Sequence, residues 1–192
     1  APRVVALTST DVYGDLEHDA LAQESLALAT RVVVLQPRAI DRLAEHLRAR
    51  TRVIRQAASA VQAPHLPGFT ACALAHLRDV KDPLPAARAA ALLTSRCRIV
   101  HIGSAPDDSW RARAHDAERA SGGRWSWLGP KPRCEALRVL AGSDVLVLAS
   151  RSEGGANVVT EAIAAGVPVI STRIDGSLGI LGDDYPGYFE VG

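Results

Sequence analysis

The chain has 192 residues, a formal net charge of +1 at neutral pH and 47% hydrophobic residues. This length and composition predict a globular protein with one full domain and part of another. The balanced charge argues against nucleic acid as a partner, and no apolar run approaches the ~18 residues of a membrane span. The three cysteines, Cys72, Cys97 and Cys134, lie far apart without metal-like spacing, which indicates reduced thiols and a cytoplasmic protein.

Apolar runs alternate with helical patterns along the chain. The first series predicts strand 3–8, helix 15–29, strand 31–35, helix 37–49 and strand 51–55. The second series predicts strands 70–76, 97–102, 124–128, 144–149 and 167–171, joined by helices 83–94, 107–120, 132–142 and 156–165. Strands that alternate with helices form parallel βαβ units, so we predict an α/β fold.

A segment rich in alanine and proline, 58–68, separates the two series. We predict that 1–57 is the C-terminal part of a first Rossmann-like domain and that 58–68 is a linker. Region 69–192 is then a second Rossmann-like domain with a largely complete parallel sheet, truncated at its end. The chain contains no methionine and begins inside an apolar strand, so we expect it to be a piece of a longer protein.

The segment that follows strand 144–149 carries the strongest chemical signal. A buried strand, a glycine turn and a helix start place backbone N–H groups and a positive dipole end at one sheet edge, which favours anion binding. Glu153 lies in this turn, where its carboxylate can accept hydrogen bonds from sugar hydroxyls. Glu161 lies on the same helix face as Asn157, within reach of further hydroxyls. A diphosphate between two such acids describes a nucleotide-sugar. The structural alternative is an ordinary glycine turn with Glu161 as a solvated helix residue.

Two further blocks accompany this segment. Strand 70–76 is followed by Arg78 and Lys81, and strand 124–128 is followed by Gly129 and Pro130. In this order, the three blocks resemble the C-terminal domain of retaining glycosyltransferases of the GT-B fold that carry a paired-glutamate motif.

This resemblance implies roles for individual residues. The donor diphosphate would be bound by Arg78, Lys81, Gly154, Gly155, Ala156, Asn157 and Val158. Glu153 would face the donor sugar as the catalytic residue, and Glu161 would bind the ribose. Gly129 and Pro130 would contact the base. Without the resemblance, Arg78 and Lys81 read as solvated loop cations, and Gly129 with Pro130 reads as a plain turn.

Three residues are candidates for the acceptor side. Thr10 and Asp11 end the first strand at its carboxyl edge, where ligands of parallel sheets bind, and Asp11 could equally cap a helix. Arg151 precedes the glycine turn and could bind an anionic acceptor or remain a solvated surface residue.

A narrower resemblance rests on Gly155 after Glu153-Gly154, and on a long Gly/Asp/Tyr/Pro loop over 179–189. Both features resemble the selenosugar synthases of selenoneine biosynthesis, which join selenophosphate to the anomeric carbon of a UDP-sugar. The resemblance implies UDP-N-acetylglucosamine or a similar UDP-sugar as donor and selenophosphate as acceptor. It also implies no metal or other cofactor.

Three alternatives stay open at this point. An ordinary sugar transferase acting on an alcohol would need a general base, normally from the first domain. A non-catalytic nucleotide-sugar-binding module would need no acceptor site, and we expect the chain by itself to be inactive or very weak. A dinucleotide-dependent reductase shares the topology, but neither half shows Gly-x-Gly-x-x-Gly at its first helix.

Overall fold

The computed structural model describes residues 1–8, 10–14, 16, 18–93 and 96–192, with Thr10 described by its backbone alone. The described chain divides into two compact units, each built from three segments. Unit 1 comprises Ala1–Ala57, Ser152–Asn157 and Arg173–Pro186, and unit 2 comprises Ala58–Arg151, Val158–Thr172 and Gly187–Gly192.

Unit 1 contains a parallel sheet of three strands in the order β1-β2-β3. The strands are β1 (Val4–Leu7), β2 (Arg31–Val34) and β3 (Thr51–Val53). Val32 and Val34 of the central strand are fully buried, because alternate side chains of a strand point to the same face. They join a core that includes Leu7, Leu26 and Leu43.

The helices of unit 1 are short. Among the described residues of this unit they include a 3-10 helix at Thr10–Tyr13, α1 (Ala20–Leu28), α2 (Arg38–Asp41), α3 (Glu45–Arg48) and α8 (Asp175–Leu181). The Asp19 carboxylate accepts hydrogen bonds from the N–H groups of Leu21 and Ala22, so α1 begins at Ala20 and not at the predicted position 15. Positions 15 and 17 of the predicted helix lie outside the described residues.

The single helix predicted over 37–49 is wrong. Ala44 has extended backbone angles, φ −55° and ψ 145°, and separates α2 from α3. The Arg48 guanidinium donates to the carbonyl groups of Leu43 and Asp41 at 2.8 and 3.0 Å, so the interrupted turn keeps hydrogen-bond partners. The break lets both Leu43 and Leu47 reach the core, where each is at most 3% exposed.

Unit 2 contains a parallel sheet of six strands in the order β6-β5-β4-β7-β8-β9. The strands are β4 (Phe69–Leu74), β5 (Cys97–Ile102), β6 (Trp125–Trp127), β7 (Val145–Leu148), β8 (Val169–Thr172) and β9 (Tyr188–Phe189). Every neighbouring pair is parallel. This is the doubly wound Rossmann order, in which the direction of winding reverses between β4 and β7. The predicted α/β class is confirmed.

The crossover helices of unit 2 follow the predicted positions. They are α4 (Leu84–Ala91), α5 (Asp108–Ala120) and α6 (Arg133–Ala141), and α7 (Asn157–Ala165) continues into this unit. Position 94, where α4 was predicted to end, lies outside the described residues. None of the helices in the described ranges is long and apolar enough to cross a membrane.

The core of unit 2 lies between the sheet and its helices. Trp125 is fully buried there beside Ile99, Ala114 and Val145. Trp127 donates its indole N–H to the carbonyl of Gly103 at 2.8 Å, so the second tryptophan ties β6 to the end of β5. Burial raises the pKa of the Cys72 thiol to about 12, which makes this thiol unreactive.

Candidate functional site

The strand order of unit 2 selects one place on the sheet for a ligand. Parallel sheets bind ligands beyond the carboxyl ends of their strands, at the point where the order reverses. Here that point lies between β4 and β7. Lys81, Ala75 from the end of β4 and Ser150 from the end of β7 line the same small cavity. The predicted phosphate-binding lysine therefore lies where the fold favours a ligand.

Arg78 and Lys81 belong to an ordered turn. A 3-10 helix covers Asp79–Lys81 and begins directly after Arg78. Arg78 is exposed and Lys81 is half-buried. Arg78 itself has an extended backbone, with φ −145° and ψ 154°, so the turn carries one cation just before its first residue and one at its last.

Arg151 has partners beside this turn. Its backbone N–H donates to the carbonyl of Val80 at 2.8 Å, and its guanidinium lies 2.8 Å from the carboxylate of Asp82. The sequence leaves Arg151 open between a possible binder of an anionic acceptor and a solvated surface residue. In the structure its charge is paired within unit 2, next to Lys81.

Glu161 is a buried acid, only 8% exposed, on α7. The nitrogen Nη2 of Arg133 lies 2.6 Å from its Oε1 atom. The interpretation of Glu161 as a solvated helix residue is therefore wrong. Arg133 is the first residue of α6, directly after the loop that contains Gly129 and Pro130. The ion pair thus joins the predicted ribose acid to the predicted base-binding loop.

Arg133 is the residue that sequence reasoning missed. Its position at a helix start after Pro132 was visible in the sequence, but nothing there indicated Glu161 as its partner. Gly129 has a left-handed backbone, φ 70°, and its carbonyl accepts the N–H of Gly103 at 3.1 Å. Pro130 is exposed.

The ends of β4 and β5 approach each other closely. A side chain at Gly103 would collide with the carbonyl of Ala75, so glycine is required here whether or not a ligand is bound. The ring nitrogen Nε2 of His101 lies 2.8 Å from the same carbonyl. Burial lowers the pKa of His101 to about 4, so the ring is neutral near pH 7 and Nε2 donates the bond. The role of His101 is to join the strand ends.

In unit 1, the glycine turn packs on both sides. Gly176 of α8 lies so close to the backbone of Glu153 that a side chain there would collide with it. On the other side, a Cβ atom at Gly155 would come within 2.6 Å of the Cβ of Leu35, just after β2. Glu153 itself is half-buried. Packing of this kind holds the backbone that carries the Glu153 carboxylate.

The irregular loop predicted over 179–189 is partly wrong, because α8 covers Asp175–Leu181. A side chain at Gly179 would collide with the amide of Gln36. Gly179, which was predicted to begin the loop, is therefore a contact point of a helix with its neighbour.

Asp11 lies in the 3-10 helix after β1 and is exposed. Its Oδ2 atom accepts the N–H of Thr8 at 3.3 Å. Asp11 does not cap α1, since Asp19 does. The side chain of Thr10 lies outside the described part of the chain.

The predicted residues are divided between the two units. Those in unit 2 are Arg78, Lys81, Gly129, Pro130, Arg151, Val158 and Glu161, and those in unit 1 are Thr10, Asp11, Glu153, Gly154, Gly155, Ala156 and Asn157. Their proposed roles stay predictions.

The Rossmann-ordered sheet of unit 2, with Lys81 beside the cavity at its switch point, defines an α/β protein of the doubly wound class. The sequence profile described as "Glycosyl transferases group 1" matches residues 55–191, and the chain belongs to this family. No curated protein matches the chain.

Solved structures share the fold. HepE of Anabaena, in complex with UDP and glucose, is 18% identical, with a TM-score of 0.80 over 100% of this chain and 58% of its own. The pneumococcal O-GlcNAc transferase GtfA, in complex with UDP and GlcNAc, is 16% identical, with a TM-score of 0.74 over 100% and 42%. Sucrose-phosphate synthase of Thermosynechococcus elongatus is 19% identical, with a TM-score of 0.70 over 91% and 51%.

The predicted GT-B type of fold is confirmed by these similarities. The chain spans 58% of the length of the HepE structure and smaller shares of the other two.

Proposed function

We propose that this chain carries the donor site of a glycosyltransferase that uses a UDP-sugar. The observation that carries the proposal is the buried carboxylate of Glu161, held by Arg133 at the start of α6. Burying a carboxylate is costly unless it has partners, and ribose hydroxyls are suitable additional donors. HepE and GtfA, which share the fold, were each solved with UDP and a sugar, which supports this choice of donor.

The proposed chemistry is electrostatic. Departure of UDP from the anomeric carbon develops negative charge on the diphosphate and positive charge on the sugar ring. Arg78, Lys81 and the N-terminus of α7 stabilise the diphosphate, as donors aimed at developing charge do in other enzymes. Glu153 stabilises the sugar. These groups take the part that a metal ion plays elsewhere, so the proposal requires no metal and no other cofactor.

The proposed acceptor is selenophosphate, and the proposed donor is UDP-N-acetylglucosamine or a similar UDP-sugar. Selenophosphate is an anionic, soft nucleophile, so its attack on the anomeric carbon needs no general base. The carbon–selenium bond forms as the bond from the anomeric carbon to the UDP oxygen breaks, so the products of this step are UDP and a selenosugar that still carries the phosphate group on its selenium. The sequence resemblance over Glu153-Gly154-Gly155 supports this acceptor. Transfer to an alcohol would need a base.

The first test measures binding. Calorimetry should detect UDP and UDP-sugars with the chain, and weaker binding of GDP and ADP. Equal affinity for all three nucleotides would contradict the proposed base selectivity, and no binding of UDP would remove the donor site.

The second test measures turnover by the full-length protein. Incubation with UDP-N-acetylglucosamine and selenophosphate, in the presence of a chelator, should release UDP and form a selenosugar detectable by mass spectrometry. UDP release with alcohol acceptors alone would contradict the selenium assignment and leave the donor site intact. Loss of activity with the chelator, restored by a metal ion, would contradict metal independence. We expect this chain alone to be inactive or very weak as a transferase. Donor and acceptor must be held within ~3–3.5 Å in aligned geometry, and we propose that the chain carries the donor site.

A further inference from the structure

Asp82 has a backbone conformation that suits glycine. Its φ is 39°, and among the described residues it is the one non-glycine residue with positive φ. A left-handed conformation costs a residue with a Cβ atom roughly 1–2 kcal/mol. Aspartate is among the few residues with a Cβ atom that adopt this conformation, because its short polar side chain can form local interactions.

The carboxylate of Asp82 is largely buried, with 15% of the side chain exposed, and it faces Arg151. The Nη2 atom of Arg151 lies 2.8 Å from Oδ2 of Asp82. One step away, the backbone N–H of Arg151 donates to the carbonyl of Val80 at 2.8 Å. The segment after β7 thus holds the segment after β4 at two points.

These two points enclose Lys81. Val80 precedes it and Asp82 follows it, so both of its neighbours are held by the same residue, Arg151. Lys81 also lines the cavity at the strand ends, together with Ser150. A lysine side chain has four rotatable bonds, and fixing its backbone on both sides limits the directions in which its ammonium group can point.

We propose that Asp82 and Arg151 form a positioning clamp that directs Lys81 toward the donor diphosphate. The inference rests on the proposed function, since it needs a diphosphate to be bound at this edge. Neither carboxylate nor guanidinium of the clamp has to touch the ligand. Asp82 is a positioning residue, because its negative charge repels an anion and cannot bind one.

The clamp predicts that neutralising Asp82 weakens UDP binding, whereas the change in charge alone predicts stronger binding. Removing a negative charge beside an anion site strengthens anion binding by Coulomb's law. If Asp82 positions Lys81, then Asp82→Asn weakens UDP binding despite the favourable change in charge. We expect a rise in the Kd for UDP of about tenfold, the scale on which neighbouring residues couple.

Asp79→Asn is the matched control. Asp79 is the first residue of the 3-10 helix that Asp82 follows, its side chain is 90% exposed, and it forms an ion pair with Arg113 at 3.9 Å. Its replacement removes the same charge without touching the clamp. The Kd for UDP should stay constant or fall. Uridine, which has no phosphate, should bind equally to the wild type and to both variants.

Asp82→Gly separates positioning from stability. Glycine adopts positive φ without strain, so the backbone of this variant is not destabilised. The melting temperature should fall only by the small amount that loss of the ion pair with Arg151 causes. The Kd for UDP should still rise. A purely structural role would instead tie loss of affinity to loss of stability.

The closing experiment is a double-mutant cycle in which calorimetry measures UDP binding. Asp82→Asn, Arg151→Gln and the double variant should bind UDP equally weakly, because either single change opens the clamp. If the wild type binds UDP and Asp82→Asn binds it equally well, the clamp is wrong while the proposed donor site stands. Additive losses in the double variant would also overturn it. A wild type that binds no UDP would overturn the proposed donor site, and the clamp with it.

Discussion

The guanidinium of Arg133 lies 2.6 Å from the carboxylate of Glu161 and joins the first residue of α6 to the middle of α7. Arg133 is 66% exposed on its side chain, whereas Glu161 is 8% exposed. The pair therefore has one solvated and one buried member. Removing the arginine would leave a buried carboxylate without this partner, which is more costly than losing an exposed ion pair.

The two glutamates should have separable effects. Glu161→Ala should weaken the binding of both uridine and UDP, because its carboxylate is proposed to accept the ribose hydroxyls. Glu153→Ala should lower kcat or sugar discrimination while UDP affinity is kept, because Glu153 is proposed to face the sugar. Calorimetry with uridine and UDP, together with steady-state kinetics on the full-length protein, measures both effects. Equal loss of UDP binding in the two variants would contradict this division.

Arg78→Ala should weaken UDP binding by ~1.5–3 kcal/mol, the scale of a hydrogen bond to a charged group. Uridine should bind as before, since the lost contacts are to phosphate. Arg111→Ala is a suitable control, because Arg111 is exposed on α5 and pairs with Asp108 of the same helix. Unchanged UDP affinity of Arg78→Ala would remove the diphosphate assignment.

Gly103→Ala should destabilise unit 2 strongly. The added methyl group would collide with the backbone carbonyl of Ala75, and backbone atoms cannot move away as a flexible side chain can. Gly123→Ala is the control, since its Cβ would meet open space and only its φ of 74° is unfavourable, at roughly 1–2 kcal/mol. Urea unfolding of both variants gives the comparison. Equal stabilities would show that the ends of β4 and β5 can separate freely.

His101 should make the stability depend on pH. Its folded pKa, about 4, lies below the ordinary value of 6.5 because the ring is buried. As the pH falls, His101 is therefore protonated in the unfolded chain before it is protonated in the folded one. The free energy of unfolding decreases between pH 6.5 and pH 4, by ~3 kcal/mol at most. His101→Gln keeps a donor for the carbonyl of Ala75 and should flatten this loss. Urea unfolding of the wild type and of His101→Gln at pH 7, 5.5 and 4.5 measures this loss. The same dependence of the free energy of unfolding on pH in both proteins would contradict the prediction.

Much of the fold was predictable because the strands of unit 2 are buried apolar runs. Strand β5 was predicted as 97–102, the range that the structure gives. The Glu153 turn and α7 were predictable from local glycines and from the helical pattern after them. Such features depend on residues that are close in sequence, and hydrophobic periodicity reveals them.

Features set by distant residues were not predictable. Gly179 was predicted to begin a loop, yet it lies in α8, where the amide of Gln36 packs against it. The partner of Glu161 is 28 residues away in sequence, as the numbering of Arg133 shows. The pairing of Arg151 with Asp82 likewise depends on β4 and β7 being neighbours in the sheet.

The segmented make-up of the two units has a consequence for dissecting this protein genetically. The chain changes unit at 57/58, 151/152, 157/158, 172/173 and 186/187. A truncation that begins at position 58 would delete Leu35 and Gln36, while keeping the glycines at 155 and 179 that pack on them. Apolar and polar surfaces normally hidden would then face water, which favours self-association of the shortened polypeptide. Circular permutation or internal replacement of segments 152–157 and 173–186 is therefore a better route to an isolated unit 2 than a simple cut.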